Sequence, residues 1–320
     1  NVSSYGQRSG AQMAVLRVDH PDIEEYINAK HNNSNLTAFN TSIAITDQFM
    51  RAVIEDESFE LIFNGKVYKT INASILWDQI MRSTYDWAEP GVLFIDQINR
   101  KNNLYYCETI ASTNPCAEQP LPPHGACLLG SFNLVKYLKS TLSVNAGPSY
   151  TFDYEKFKQD IPPIVRAMDN VIDITLYPLA EQQIEAKNKR RMGIGITGLA
   201  NTVEALGALY GSDECVKITE KILTILRDEC YRASIELAKQ KGSFKLFSKD
   251  YLDSQFIKTL PQDIQDSIAE HGIRNSHLTS IAPTGTISTV AGVEGYGCEP
   301  VFALAYYRNV YQAAMDEKGL

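Results

Sequence analysis

In the stretch Asn114-Pro115-Cys116-Ala117-Glu118 an amide, a thiol and a carboxylate recur at every second position. In an extended backbone successive side chains alternate, so Asn114, Cys116 and Glu118 are expected to face one way and Pro115, Ala117 and Gln119 the other. One face would then carry amide, thiol and carboxylate together. Pro115 pushes Asn114 toward extended geometry, and Pro120, Pro122 and Pro123 stiffen the exit. Spacing alone leaves a Pro-rich surface loop with a satisfied polar cluster equally open. His124, between Cys116 and Cys127, reads as a solvated loop histidine.

Two further motifs carry chemistry. Pro283-Thr284-Gly285-Thr286-Ile287-Ser288 offers hydroxyls and backbone N–H groups around a glycine, which suits a phosphate without a lysine; a plain turn is the alternative. Gly193-Ile194-Gly195-Ile196-Thr197-Gly198 satisfies GxGxxG, but the charged run Lys187 to Arg191 precedes it where a dinucleotide fingerprint needs a buried strand. Its glycines read instead as sites of close packing, and a NAD-dependent dehydrogenase is set aside. The six cysteines include no CxxC pair and no zinc spacing with the five histidines, so no metal site is expected.

The elements that must position these residues alternate. AQMAVLRVDH, FNTSIAI and GVLFID read as strands, and helices are expected after Pro21, after a Thr46 cap and after an Asn72 cap. Residues 103–150, punctuated by prolines, read as an elaborate loop. A helix at 154–176, a strand at MGIGITGLA and a long helix from a Ser212 cap to a Gly242 stop follow, and then SHLTSIA as a strand feeding PTGTIS. Alternating strands and helices imply α/β architecture with parallel pairing, in a wound sheet or a barrel.

Composition bounds the function. The 320 residues are 44% hydrophobic and 21% charged with a net charge of −8, so neither nucleic acid nor a membrane is an expected partner. The opening NVSSYGQRSG lacks the features of a secretory signal, and the expected compartment is cytoplasmic. The missing initiator Met and the loop already under way suggest a piece of a longer polypeptide.

Asn-x-Cys-x-Glu, followed eleven residues after Cys116 by the cysteine of ACLLGSFNL, resembles the active-site loop of the ribonucleotide reductase catalytic subunit. The wording NPCAEQPLPP is most similar to the class II, adenosylcobalamin-dependent branch. GQRSGAQMAVLRVDHPDI, LTAFNTSIAITDQFM, EPGVLFID, RRMGIGITGLA and RNSHLTSIAPTGTIS resemble further family blocks in the family's order, so the resemblance covers almost the whole chain. It implies a ten-stranded α/β barrel with a central finger loop. Residues 1–320 would form part of one catalytic domain, with family segments absent at both ends and the finger-loop region at 103–150.

The resemblance also implies roles. Cys116 would be the thiyl radical that takes the ribose 3′ hydrogen, Glu118 the base for the 3′-OH, and Asn114 a group that orients the sugar hydroxyls. Cys127 matches one of two reducing cysteines; its partner lies upstream in the family, outside this sequence. Cys107, Cys215, Cys230 and Cys298 read as buried inert thiols. Thr284, Gly285, Thr286 and Ser288 would hold the substrate's phosphates, and Gln7 and Arg8 would belong to a specificity loop answering to a dNTP or ATP effector. The implied partners are a ribonucleotide, a thioredoxin-like or dithiol reductant, and a homodimer mate or a second chain supplying missing segments. A class I alpha subunit served by a separate radical-generating subunit, and a non-catalytic split-reductase fragment that binds nucleotide, stay open beside the class II reading.

Overall fold

The computed structural model describes residues 10–31, 36, 38–143, 147–303, 305 and 307. Gln7 and Arg8 lie outside the described residues. The first half runs β1 (Gln12–Arg17), α1 (Ile23–Asn28), β2 (Phe39–Ile45), α2 (Asp47–Ile54), β3 (Ser58–Phe63), β4 (Lys66–Asn72), α3 (Ala73–Trp87), β5 (Gly91–Phe94) and α4 (Ile95–Lys101). The Thr46 hydroxyl accepts from Phe49 N and caps α2; Asn72 accepts from Ile75 N and caps α3. The expected strand GVLFID stops at Phe94, and its last two residues open α4. Strands β1, β2 and β5 pair in parallel, Leu16 opposite Ile43 and Ile43 opposite Val92. Ile23, Ile43, Phe49, Leu76 and Ile80, all fully buried, fill the core beneath that sheet. Each such side chain contributes roughly 1.5–3 kcal/mol on leaving water.

The region expected to be irregular holds more structure than its prolines suggest. It contains β6 (Ser112–Thr113), β7 (Pro120–Leu121), β8 (Leu128–Asn133), β9 (Leu138–Ser143) and β10 (Gly147–Phe152). Then follow α5 (Tyr154–Ile174), α6 (Ala180–Lys189), β11 (Met192–Thr197), α7 (Leu199–Ala205), α8 (Asp213–Lys241), α9 (Gln262–His271) and α10 (Gly285–Ala291). Ser212 caps α8 through Cys215 N, and the helix stops before Gly242. Strand β8 pairs in parallel with β11, so the chain after the cysteine loop belongs to the second sheet. Its core packs α5 and α8 around Ile161, Val165, Ile194, Ile196, Leu226 and Cys230.

SHLTSIA is not a strand. Only an isolated bridge joins Thr279 to Ile194, although Met192 N donates to His277 O and Ser280 N to Ile194 O. The parallel pairing and mixed α/β content agree with expectation; a closed ten-stranded barrel does not appear, because the parallel strands of the described residues form two separate sheets. No helix among the described residues is long and apolar enough to cross a membrane.

The charged run before β11 is buried. Asp169 of α5, fully shielded from solvent, takes Arg190 Nε at 2.8 Å, Arg274 Nε at 3.3 Å, Lys241 Nζ at 3.2 Å and Asn275 Nδ2 at 3.0 Å. This cluster ties the start of β11 to the segment 274–276, which leads into the loop carrying Thr284. Removing one member of such a cluster leaves uncompensated buried charge.

Candidate active site

Strands β6 and β7 make a short antiparallel hairpin whose tip is Asn114 to Gln119. The expected alternation fails there. Asn114 N donates to Gln119 O at 3.2 Å, Ala117 N to Asn114 O at 3.0 Å, and Ala117 sits at φ +65. The chain therefore turns at Pro115 and Cys116 instead of running extended. Asn114 is spent partly on this turn, its Oδ1 accepting from Gln119 N at 3.0 Å. Two contacts hold the finger to the first sheet and its helix: Asn40 Nδ2 donates to Pro115 O at 2.7 Å, and Asn99 pairs with Ile110 through both backbone groups.

Turning does not separate the thiol from the carboxylate. Cys116 and Glu118 line one cavity of about 370 Å³ together with Gly130 and the loop residues Thr284, Gly285 and Thr286. Cys116 is exposed at its mouth. Glu118 is half-buried, and its Oε2 is buried with no hydrogen-bond partner among the described residues. A buried carboxylate oxygen left unmatched costs roughly 1–3 kcal/mol.

The facing loop is built by hydroxyls. Thr284 adopts φ +55, unusual for a β-branched residue. Its Oγ1 lies 2.9 Å from Thr197 Oγ1 and 3.1 Å from Ser288 Oγ, while Thr197 lies 2.7 Å from Ser288. Ser288, fully buried, braces the loop from beneath and does not line the cavity. Thr284, Gly285 and Thr286 do line it, with Thr286 exposed.

Cys127 stands apart from Cys116 in environment. Its thiol is partly buried, and burial pushes it up to about 12, with Arg191 working against the shift and Glu118 adding to it. At neutral pH it is therefore a thiol that carries its hydrogen, not a thiolate. No two cysteines are joined as a disulfide. Cys215 and Cys230 are buried as expected, Cys298 partly so; Cys107 is exposed, because it ends the turn after α4 at the surface. His124 is exposed, at φ +61.

The sequence concealed a polar floor behind Glu118. A second cavity of about 430 Å³ is lined by Glu118, Gln119, Asn102, Arg191 and His277. His277 is held well below the usual imidazole range by burial and by the charges of Arg191 and Lys189, so it is neutral. Its Nε2 lies 3.1 Å from Asn102 Oδ1, and Asn102 Nδ2 donates to Glu108 at 2.9 Å. Glu108 pairs in turn with Arg191 and, at 2.8 Å, with Lys189. The one signal for this floor was three consecutive basic residues directly before an apolar strand.

The family model described as "Ribonucleotide reductase, barrel domain" matches residues 1–318. The chain is 36% identical to the "Vitamin B12-dependent ribonucleoside-diphosphate reductase" of Thermoplasma acidophilum over 97% of its own length and 38% of that protein. It is likewise 36% identical to the protein of that name from Mycobacterium tuberculosis, over 97% of the chain and 42% of the relative. The "Ribonucleoside-diphosphate reductase subunit alpha" of Chlamydia pneumoniae is 26% identical over 96% of the chain and 34% of the relative. The chain spans about two fifths of the length of the curated relatives it matches first. A family model running along nearly the whole chain, over a finger hairpin that presents a thiol and a carboxylate to one cavity, places the chain in the ribonucleotide reductase barrel-domain family.

Proposed function

We propose that the full-length polypeptide reduces ribonucleotides to deoxyribonucleotides by radical chemistry. The observation that carries this reading is that Cys116, Glu118 and the loop Thr284–Thr286 line a single cavity. A nucleotide lying there would set its phosphates against the first turn of α10 and its ribose against the finger. Cys116, as a thiyl radical, takes the 3′ hydrogen, and sulfur suits the step because its S–H bond is comparable in strength to that C–H bond. Glu118 accepts the 3′-OH proton through an oxygen that has no competing donor among the described residues. Asn114 orients the sugar hydroxyls, with its amide nitrogen as the donor because its oxygen serves the turn.

The 2′-OH leaves as water. Cys127 and a second thiol supply two electrons and two protons, ending as a disulfide, and Cys116 returns the 3′ hydrogen, so the substrate gains a C–H where it lost a C–O bond. The protonated state of Cys127 fits a donor of hydrogen. A dithiol or thioredoxin-like reductant then reopens the disulfide.

Adenosylcobalamin, when bound, would supply the radical that Cys116 receives. The residues present fit this: Cys116 is exposed at the cavity mouth, and the exposed apolar side chains of Leu129 and Ile287 flank it, offering a surface for a flat macrocycle. The relatives named as vitamin B12-dependent favour this branch. We read residues 1–320 as part of one catalytic domain whose remaining strands would complete a ten-stranded barrel, with 103–150 as its finger-loop region. The reading extends to a nucleotide effector and a homodimer or complementing chain. Among the described residues Cys116 is the single cysteine lining this cavity, which favours, as a second reading, a split-reductase piece that binds nucleotide without turning over.

The test is deoxynucleotide formation by the full-length polypeptide with adenosylcobalamin, a ribonucleotide and a dithiol. Product without a second subunit is expected. Product only after a radical-generating subunit is added would replace class II by class I. Nucleotide binding with no product under either condition would leave the binding fragment.

A further inference from the structure

We infer that Gly193, Gly195, Gln119 and Ser280 form a seat that fixes where Glu118 stands, with Ser280 and Gln119 as positioning residues. The inference rests on the proposed role of Glu118 as proton acceptor. Ser280 Oγ donates to Glu118 O at 3.0 Å, while Ser280 N donates to Ile194 O at 3.1 Å, so one residue joins the finger to β11. The approach is possible only because β11 lacks side chains where it occurs. A Cβ at Gly195 would fall 2.1 Å from Ser280 O, and one at Gly193 would fall 2.4 Å from Gln119 Nε2. Gln119 is buried, and its backbone closes the finger turn on Asn114. Glu118 thus has its own carbonyl pinned and its successor locked, leaving the carboxylate as the part directed at the cavity. Four residues beyond Ser280 the same segment becomes Thr284 of the facing loop. One stretch of chain therefore sets the spacing between the proton acceptor and the phosphate-side loop.

The test uses Ser280→Ala in the full-length polypeptide. The amide protons of residues 112–121 are expected to exchange about fivefold faster, the effect of one lost hydrogen bond. With deoxynucleotide formation as the readout, kcat is expected to fall at least tenfold while KM and nucleotide affinity stay within about twofold, because a displacement near 1 Å acts on the reacting geometry. Gly193→Ala, whose methyl meets side-chain atoms of Gln119, Leu129 and Ser280, is the second variant and is expected to behave alike. Unchanged exchange in both variants would overturn the seat, and so would losses confined to KM. If the unsubstituted polypeptide makes no product, the functional reading falls on its own, and the exchange measurement still decides whether the seat exists.

Discussion

Replacing Glu118 by glutamine separates chemistry from architecture at this site. The side chain keeps its shape and loses its charge. Oε2 is buried with no donor facing it among the described residues, so glutamine exchanges one unmatched polar atom for another. The stability change is then small, within about 1 kcal/mol, or about 2–4 °C in Tm. The catalytic cost is of another size. A positioned general base is worth about 10²–10⁴ in rate, or about 2.7–5.4 kcal/mol at 1.36 kcal/mol per decade. Binding should persist, because Thr284 to Thr286 lie on a different segment that Thr197 and Ser288 brace. The assay is deoxynucleotide formation by the full-length Glu118→Gln polypeptide, with nucleotide affinity and thermal unfolding measured on the same preparation. More than a tenth of the original turnover would refute the base assignment. A Tm loss beyond about 5 °C would refute the claim that the carboxylate has no structural partner to lose.

Cys116→Ser is expected to abolish turnover and leave nucleotide affinity within about twofold, since oxygen holds its hydrogen too strongly to carry the radical; multiple turnovers would exclude Cys116 as carrier. For Cys127, folding favours the protonated thiol, so its stabilising contribution is intact below about 9 and is lost as pH rises toward about 12. Mass-spectrometric mapping of iodoacetamide labelling at pH 9 should find Cys127 nearly unlabelled in the folded chain and labelled in denaturant, and equal labelling would contradict its burial. Burial works against the charge of Asp169, but Arg190 and Arg274 outweigh it and hold the carboxyl below its ordinary 3.8. Its contribution is present above that value and fades as pH falls through the lowered one. Asp169→Asn should cost about 3 kcal/mol or more in urea unfolding at neutral pH; a loss under about 1 kcal/mol would mean that Asp173 alone suffices to hold Arg190.

What the sequence disclosed depended on how local the signal was. The caps Thr46, Asn72 and Ser212 are written within four residues of the N–H groups they satisfy, and each stands where expected. The β3–β4 hairpin is encoded just as locally, in Asn64-Gly65, both at positive φ between apolar-rich runs. The prolines at 115, 120, 122, 123 and 148 suggest an irregular 103–150, yet position 148 falls within β10, and β8 pairs with β11, sixty-four residues away, at a distance no local pattern encodes. The residue types that line the cavity were legible at Cys116 and Glu118, but their arrangement was not. Alternation assumed an extended backbone, whereas the bonds between Asn114 and Gln119 bend it. The floor of Glu108, Arg191 and His277 joins three remote segments, and a run of basic residues does not say which carboxylates it will meet.

The contrast between the two site cysteines follows from what each is asked to do in the proposed reaction. A thiol that must receive a radical from outside needs an open approach, and Cys116 stands exposed on a tip fixed by backbone bonds. A thiol that must deliver hydrogen needs to keep its proton and to be shielded from oxidants, since it is the thiolate that reacts with them. Burial of Cys127 beside the negative Glu118 provides both conditions, and Arg191 offsets them only in part. Exchanging the two environments would defeat both steps: a buried radical carrier could not be reached, and an exposed reductant would be lost to oxidation between turnovers. The two sulfurs stand eleven residues apart in sequence with a stiff exit between them; Cys116 lines the cavity beside Glu118, whereas Cys127 lies beyond the finger hairpin and is not among that cavity's lining residues, so in the proposed reaction it must act from the cavity's edge.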